Sequence, residues 1–259
     1  MIFASEDFET RIAKTESDLV AAQKLRYDVF VKELGGDGDL VDHGLGIERD
    51  AFDPFYDHLL LVDRKRATEN DAGVVGVYRL LRGDCLDGPG QFYSEAEYDL
   101  TALKSSGRRL LELGRSCLHA DYRGGPAMMH LWNALGEYVA EHQIEVLFGV
   151  ASFHGTDLSA LAQPLSYLRH RYLAPKELRA RGVTAHYSSM DLLPTDEIDR
   201  KAAMLDTPAL IKAYLRLGGF VGDGAFVDHT FNTTDVFLVM DTDKMTQRHK
   251  DRYMRESKT

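Results

Sequence analysis

The stretch that most constrains the fold of this chain is residues 110–131, LLELGRSCLHADYRGGPAMMHL. It reads as a β-strand, a turn at Arg123-Gly124-Gly125-Pro126, and the start of a helix. The first backbone N–H groups of a helix lack intrahelical acceptors, and the helix dipole adds partial positive charge there. The segment therefore predicts an anion site, and Glu112 and Arg115 upstream of it indicate an enzyme that handles a phosphate-bearing substrate.

Composition excludes several other classes of protein. The 259 residues contain no apolar run of about 18, so we expect no transmembrane helix. The first residues, MIFASEDFETR, lack the basic and apolar parts of a signal peptide, which favours a cytoplasmic location. The net charge of −10 argues against a general nucleic-acid-binding protein. Cys85 and Cys117 have no metal-ligand spacing, so we expect reduced thiols and no metal site.

Hydrophobic periodicity predicts an α/β chain with its sheet in the middle. The acidic, glycine-bearing segment 37–57 is predicted to be a loop, and loops of this length are usually functional or disordered. We expect one domain over residues 1–241, followed by a polar basic tail at 242–259. The predicted strands are 8–14, 58–63, 74–81, 109–119, 145–152, 183–192, 226–229 and 236–241. The predicted helices are 16–34, 95–104, 126–143, one that starts afresh or kinks at Pro164, and one from Thr207 to Gly218.

The segment 110–131, followed by the apolar strand 145–152, resembles the acyl-donor site of GNAT-fold N-acyltransferases. In that superfamily an Arg-x-x-Gly-x-Gly/Ala turn cradles the pyrophosphate of coenzyme A. This chain has Arg123-Gly124-Gly125-Pro126-Ala127 instead, and the difference favours a donor other than coenzyme A. The resemblance implies a GNAT-like fold, with a central mixed sheet flanked by helices. It also implies that Arg123, Gly124 and Gly125 bind the acyl donor.

A more specific resemblance is to the branch that includes acyl-homoserine lactone synthases, which take acyl groups from acyl carrier protein. Their pattern is an Arg and a Phe in the first helix, an acidic trio in the next loop, an Arg on the third strand, and Glu-x-x-Arg on the fourth. The matching residues here are Arg26 and Phe30, then Glu48, Asp50 and Asp53, then Arg79, and finally Glu112 and Arg115. The resemblance implies catalytic roles for Glu112, Glu48 and Arg115, and substrate-binding roles for Arg26, Asp50, Asp53 and Arg79.

Within that branch, the sequence ELGRSCLHADYRGGPAMMHLW and the extended C-terminal half resemble ornithine N-acyltransferases of the bacterial ornithine-lipid pathway. Such enzymes move a 3-hydroxyacyl chain from acyl carrier protein to the α-amine of ornithine, which gives lyso-ornithine lipid. The expected partners are therefore acyl carrier protein and ornithine, and no cofactor beyond the donor's own phosphopantetheine is implied. Three alternatives stay open: an acyl-homoserine lactone synthase, an N-acyltransferase for another amino acid, and a catalytically silent acyl-binding or regulatory module.

The chemistry of acyl transfer to an amine sets requirements for the site. An α-amine has a pKa of roughly 8, so at neutral pH a base must remove a proton. Glu112, or Glu48 through a water, is the candidate base. A backbone N–H on strand 109–119, freed by a β-bulge, is the candidate donor to the oxyanion. Cys117 is predicted to be a packed core thiol, with a covalent acyl carrier as the alternative.

Two basic segments are candidate interaction surfaces. Acyl carrier protein is acidic, so a positive patch formed by Arg169, Arg171, Lys176 and Arg179 is our hypothesis for its docking site. The C-terminal tail could hold the protein weakly at the surface of an anionic membrane through Lys244, Arg248, Lys250, Arg252 and Arg255. For both segments the alternative is an ordinary solvated surface or a frayed chain end.

Overall fold

The computed structural model describes residues 7–39, 41–68 and 72–244. The basic residues predicted to contact membranes after Lys244 lie outside these ranges. By its internal contacts the chain divides into two compact units. The described part of the first unit is residues 7–39, 41–68, 72–81 and 113–143, and that of the second is 82–112 and 144–244. The expectation of one domain over residues 1–241 stays a prediction.

The secondary structure of the described residues mixes strands and helices throughout the chain. The strands are β1 (Phe8–Ile12), β2 (Asp57–Asp63), β3 (Val74–Arg82), β4 (Tyr98–Asp99), β5 (Leu110–Leu118), β6 (Val146–His154), β7 (Arg181–Gly182), β8 (Tyr187–Ser188), β9 (Phe220–Asp228) and β10 (Thr233–Asp241). The α-helices are α1 (Glu16–Arg26), α2 (Thr101–Lys104), α3 (Ala127–Glu141), α4 (Ala162–Tyr172), α5 (Arg200–Asp206) and α6 (Ala209–Arg216). Within these ranges no helix is long and apolar enough to cross a membrane.

In the first unit a sheet lies between two helices. Strand β2 pairs antiparallel with both β1 and β3, and β3 neighbours β5. Leu61 of β2 and Leu131 of α3 both approach Gly76 of β3. Leu60 and Val62, on either side of Leu61, belong to the same buried cluster as Ala22 and Leu25 of α1. Because successive strand residues face opposite sides, α1 and α3 cover opposite faces of this sheet.

The second unit is built around a mixed sheet. Residues Leu110–Glu112 of β5 pair in parallel with Val146–Phe148 of β6. Strand β6 pairs antiparallel with β10, and β10 pairs antiparallel with β9. The short strands β7 and β8 both pair with β9, and β4 pairs with β7. Phe148 packs between two other buried rings, at centroid distances of 4.9 Å from Phe92 and 5.6 Å from Phe237.

The first helix differs from the prediction over residues 16–34. Thr15 and Asp18 form a reciprocal capping box at its start, and α1 ends at Arg26. Residues Tyr27–Glu33 continue as a π-helix, which is rare and often lies near functional sites. The apolar spacing of the sequence predicts a helix but does not distinguish an α-turn from a π-turn.

Two other predicted elements are largely wrong. Residues 95–104 are not one helix, because Tyr98 lies in the short strand β4. The Tyr98 hydroxyl donates to the carbonyl oxygens of Gly224 at 3.1 Å and Asp235 at 2.9 Å. The predicted strand 183–192 is reduced to Tyr187–Ser188, the residues that pair with β9. In both cases contacts distant in sequence decide the local structure. The helix predicted to start afresh at Pro164 starts two residues earlier: α4 begins at Ala162, so the proline lies in the first turn, where its missing N–H is not needed.

Candidate active site

The acidic loop that follows α1 is attached to one face of that helix. Gln23 Nε2 donates to Asp53 Oδ2 at 3.0 Å, and Arg26 Nη1 donates to Asp53 Oδ1 at 2.7 Å. Arg26 also donates through Nε to Glu48. Residues three apart in a helix lie on the same side, so Gln23 and Arg26 together fix the loop along α1. The capped first helix thereby sets the position of two predicted site carboxylates.

Two arginines from the sheet reach the same carboxylates. Arg79 Nη1 lies 2.7 Å from both carboxylate oxygens of Asp50 and 2.8 Å from Asp53 Oδ1. Arg115 Nε donates to Glu48 at 3.2 Å, and its Nη2 donates to Asp50 at 3.2 Å. The structure therefore brings six of the predicted residues into one cluster in the first unit. We call it the ion-pair network, and its members are Arg26, Glu48, Asp50, Asp53, Arg79 and Arg115.

The members of the ion-pair network differ in their exposure to solvent. The side chains of Arg26 and Arg79 are 0% and 1% exposed, and the other fully enclosed members are Glu48 and Asp53. By contrast, the side chain of Asp50 is 19% exposed and that of Arg115 is 16% exposed. Four members therefore form an enclosed framework, and the Asp50–Arg115 pair forms its solvent edge.

The charges of the ion-pair network balance. Burial alone would raise the pKa of the Glu48, Asp50 and Asp53 carboxyls, but the neighbouring guanidinium groups outweigh it and lower all three. The pKa of Asp53 falls to about 2. At neutral pH three carboxylates therefore face three guanidinium groups. Because an uncompensated buried charge is strongly destabilising, each member depends on the others.

The residues around Arg79 were not predicted from the sequence. Its guanidinium carbon lies 4.2 Å from the centre of the Tyr56 ring, a cation–π contact. His58 stands opposite Arg79 on β2, and its Nε2 lies 3.0 Å from the carbonyl oxygen of Asp53. Burial lowers the pKa of His58, so its ring is neutral. No motif marks Tyr56, His58 or Gln23, because their roles depend on which strands and helices come together.

Arg115 has an unusual backbone conformation. Its φ is +48°, in the left-handed region that residues other than glycine rarely adopt. Such a residue costs about 1–2 kcal/mol, and within a strand it accompanies local irregularities such as β-bulges. Strand 109–119 was expected to contain an irregularity of this kind. That a backbone N–H there binds the oxyanion stays a prediction.

Glu112 is held by backbone groups of the second unit. Its Oε1 accepts from the Ser94 N–H at 2.8 Å and from the Ser94 hydroxyl, and its Oε2 accepts from the Tyr93 N–H at 2.9 Å. The residue is 2% exposed. Its carboxylate therefore caps the start of the 3₁₀ turn Tyr93–Ala96. The role of Glu112 as a base stays a prediction.

The turn predicted to bind the acyl donor lies between β5 and α3. Gly124 has a φ of +73°, which favours glycine, and a Cβ there would meet no atom within 4 Å. Helix α3 begins directly afterwards, at Ala127, with no side-chain cap at Pro126. Arg123 donates to the Leu118 carbonyl from Nε at 3.1 Å and from Nη2 at 2.9 Å. Binding of a donor phosphate at this turn stays a prediction.

Cys117 lies in the packed core. It is 5% exposed and belongs to the buried cluster between α1 and the sheet. Burial raises the pKa of its thiol to about 12, so the thiol stays protonated at neutral pH. A protonated, enclosed thiol is a poor nucleophile, which agrees with the packed-core interpretation. In the three described ranges, no group of three or more His, Cys, Asp and Glu side chains is arranged to hold a metal ion.

Comparison with protein families matches residues 25–133 to the acetyltransferase (GNAT) domain. Among curated proteins, the chain is 56% identical over 255 residues to the L-ornithine N(alpha)-acyltransferase of Rhodobacter capsulatus, covering 98% of both chains. It is 39% identical to the enzyme of the same name from Brucella abortus, covering 96% of this chain and 89% of the relative.

Solved structures show the same fold at low sequence identity. An N-acyl amino acid synthase from uncultured soil microbes superposes with a TM-score of 0.54 and 12% identity, covering 94% of this chain and 97% of the other. A CoA-dependent acyl-homoserine lactone synthase superposes with a TM-score of 0.50 and 14% identity, covering 96% and 97%. With the family match, these similarities confirm the predicted GNAT-type fold of a mixed sheet flanked by helices.

Proposed function

Because this chain belongs to the L-ornithine N(alpha)-acyltransferase family, we propose that it transfers a 3-hydroxyacyl chain from acyl carrier protein to the α-amine of L-ornithine, giving lyso-ornithine lipid. The chain is an acyltransferase with a GNAT domain. The proposal adds the acceptor, the acyl donor and the 3-hydroxy chain to that assignment.

The observation that carries the proposal is the solvent edge of the ion-pair network. Arg115 presents a guanidinium group whose planar fork matches a carboxylate, and Asp50 presents an ionised carboxylate 3.2 Å from it. Ornithine carries an α-carboxylate and a δ-ammonium, so the pair complements both charged groups and leaves the α-amine to react. The four enclosed members hold Asp50 and Arg115 in place and do not touch ornithine in this scheme.

The reaction in this proposal is a direct attack. The neutral α-amine nitrogen bonds to the thioester carbonyl carbon, and the C–S bond breaks as the tetrahedral intermediate collapses. The products are the amide and the free thiol of the phosphopantetheine arm. Enclosure of Cys117 supports a single transfer without an acyl-enzyme. The amine proton goes to Glu112, or to Glu48 through a water, and then to the departing sulfur, which leaves as the thiol. Proton transfer of this kind contributes about 10²–10⁴-fold to the rate.

Two basic regions would bind the acyl donor and its carrier protein. The phosphate of the phosphopantetheine arm would bind at Arg123, Gly124 and Gly125, beside the start of α3. Acyl carrier protein would dock at the end of α4, where Arg169 and Arg171 lie in the last turn. The side chain of Arg169 is 30% exposed and lies 3.5 Å from Asp223. The proposal places the enzyme in the cytoplasm, in weak peripheral contact with the membrane that receives its product.

The decisive experiment supplies purified protein with 3-hydroxyacyl carrier protein and, separately, ornithine, lysine, glutamine, glycine or S-adenosylmethionine. Products are identified by mass spectrometry. We expect an acyl-ornithine amide bonded through the α-nitrogen. Release of a lactone from S-adenosylmethionine would support a signal synthase instead. If no acceptor is acylated, the proposal is wrong and a non-catalytic acyl-binding role is favoured.

A further inference from the structure

Glu33 places a negative charge directly beside the arginine of the donor turn. Its Oε2 lies 2.8 Å from Arg123 Nη2, and the two side chains are 35% and 45% exposed. Arg123 is fixed in this position by two further hydrogen bonds to the Leu118 carbonyl. A phosphate that approaches Arg123 therefore also meets the carboxylate of Glu33.

The position of Glu33 comes from the π-helix that continues α1. Glu33 is the last residue of that helix, Tyr27–Glu33, so the helix brings a carboxylate to the donor turn. Exposed ion pairs contribute little to stability, so we expect that the fold does not depend on this one. Asp28, in the same π-helix, provides a comparison: it pairs with Lys32 at 2.7 Å and is 46% exposed.

A fixed carboxylate at a phosphate site discriminates among phosphate donors by charge. Coenzyme A carries a pyrophosphate and a further 3′-phosphate, whereas a carrier-bound phosphopantetheine arm carries a single phosphodiester. Coulomb repulsion from Glu33 grows with the number of negative charges that must lie near it. Arg123 supplies one positive charge, and Glu33 already compensates it.

We propose that Glu33 is a donor-selectivity residue, which disfavours coenzyme A and so favours an acyl chain delivered on a carrier-bound phosphopantetheine arm. This inference rests on the proposed function, in which the turn Arg123–Gly125 receives the donor phosphate. It adds Glu33 to the proposed donor site and gives a physical reason why the donor would be a carrier protein. Glu33 acts on the donor's charge and takes no part in the chemistry.

The first test measures binding without turnover. The dissociation constants of coenzyme A and of 4′-phosphopantetheine are measured by titration calorimetry for the wild-type protein, Glu33→Gln and Asp28→Asn. The two variants change the net charge equally. We expect Glu33→Gln to lower the dissociation constant of coenzyme A about tenfold and that of 4′-phosphopantetheine about threefold or less. Asp28→Asn should change either dissociation constant by less than about twofold.

Three results would overturn the inference. These are an equal change for both ligands in Glu33→Gln, the same selective change in Asp28→Asn, and no binding of coenzyme A to any of the three proteins. The first would indicate a non-specific charge effect at the site. The second would show that overall charge matters more than the position of Glu33. The third would show that the turn is not a site for this phosphate donor.

A second test separates this inference from the proposed function. Acylation of ornithine is measured with 3-hydroxyacyl carrier protein and with 3-hydroxyacyl-coenzyme A. In Glu33→Gln we expect kcat/KM with the coenzyme A donor to rise about five- to tenfold relative to the carrier-protein donor. If wild type acylates ornithine but this ratio does not change, the inference fails and the proposed function stands. If the wild-type protein acylates nothing while Glu33→Gln still tightens coenzyme A binding selectively, the proposed function fails, and of the inference only the effect of the Glu33 charge on coenzyme A binding stands.

Discussion

The three arginines of the ion-pair network differ in how far solvent reaches them. Arg26 and Arg79 are enclosed and serve to neutralise buried carboxylates. Arg115 alone among the three reaches solvent to an appreciable extent, and it does so from a left-handed backbone conformation. Strain of this kind persists only where surrounding contacts enforce it, as the contacts with Glu48 and Asp50 do here. The side chain of Arg115 is therefore fixed at the solvent edge of the network.

Replacing Arg115 with Lys should weaken binding of the acceptor. The lysine ammonium keeps the charge but lacks the fork that matches a carboxylate, so we expect the KM for ornithine to rise about ten- to a hundredfold with a smaller change in kcat. The measurement is the initial rate over a range of ornithine concentrations. Arg64→Lys, at a side chain that is 60% exposed, is the matched control. An unchanged KM for ornithine in Arg115→Lys would exclude contact between Arg115 and the acceptor carboxylate.

Replacing Glu112 with Ala should destabilise the fold as well as reduce activity. The change leaves the Tyr93 and Ser94 N–H groups without their carboxylate acceptor in a buried place, which should lower the free energy of unfolding by about 3 kcal/mol. Urea unfolding measures the effect, with the exposed Glu137→Ala as control. A loss of activity at unchanged stability would instead indicate that Glu112 acts only as the base.

At the scale of elements, the sequence predicts most strands correctly and misses where the helices change type. The strands β2, β3, β5 and β6 lie where their apolar runs predict, because a strand buried on one or both faces has a clear pattern of apolar residues in the sequence. The π-helix Tyr27–Glu33 leaves no such pattern. It nevertheless carries Tyr27, whose hydroxyl lies 3.0 Å from His43 Nδ1, and Glu33, which reaches the donor turn. The α-to-π transition thus connects the acidic loop and the donor turn to one helix.

The hairpin of β2 and β3 depends on Gly73. Its φ is +67°, and a Cβ there would lie 2.6 Å from the Asp63 carbonyl oxygen and 2.8 Å from the Ala67 nitrogen. Gly90 has a similar φ of +77° but open space around it. Gly73→Ala and Gly90→Ala should each lower the free energy of unfolding by about 1–2 kcal/mol because alanine is strained at a positive φ. Gly73→Ala should lower it by about 1–3 kcal/mol more because the neighbouring backbone must move. Equal losses in urea unfolding for the two variants would show that the close approach at Gly73 is relieved without cost.

At the scale of the whole molecule, stability should fall in two steps as the pH is lowered. Burial lowers the pKa of His58 and of His130 in the folded protein. Below the ordinary histidine pKa of about 6.5, the unfolded chain therefore binds protons that the folded chain does not, and stability decreases. The carboxyl groups of Glu48, Asp50 and Asp53 also have lowered pKa values. Their contribution is complete above about pH 4.5 and is lost as the pH falls towards the folded pKa of about 2 at Asp53.

Urea unfolding from pH 8 to pH 3 tests both steps. We expect a shallow decrease below about pH 6.5 and a steeper one below about pH 4.5. His58→Asn should reduce the first step and leave the second. Constant stability between pH 8 and pH 4.5 would contradict the burial-driven shift of the histidine pKa values.

The sequence by itself determined the α/β class and the strand–turn–helix at residues 110–131. These follow from local rules of periodicity, turn formation and residue chemistry, which need no knowledge of distant contacts. It also pointed to the family that the comparisons support.

Only the tertiary structure decided which charged residues come together and which of them are buried. Residues as far apart in sequence as Arg26 and Arg115 share the carboxylate of Glu48, while Glu112, three residues from Arg115, is bound by Ser94. Burial distinguishes the four enclosed members of the network from Asp50 and Arg115, which are partly exposed to solvent. The pairing of Glu33 with Arg123 is equally invisible in the sequence. Burial and charge pairing depend on the whole surroundings of a side chain, and those surroundings exist only after the chain has folded.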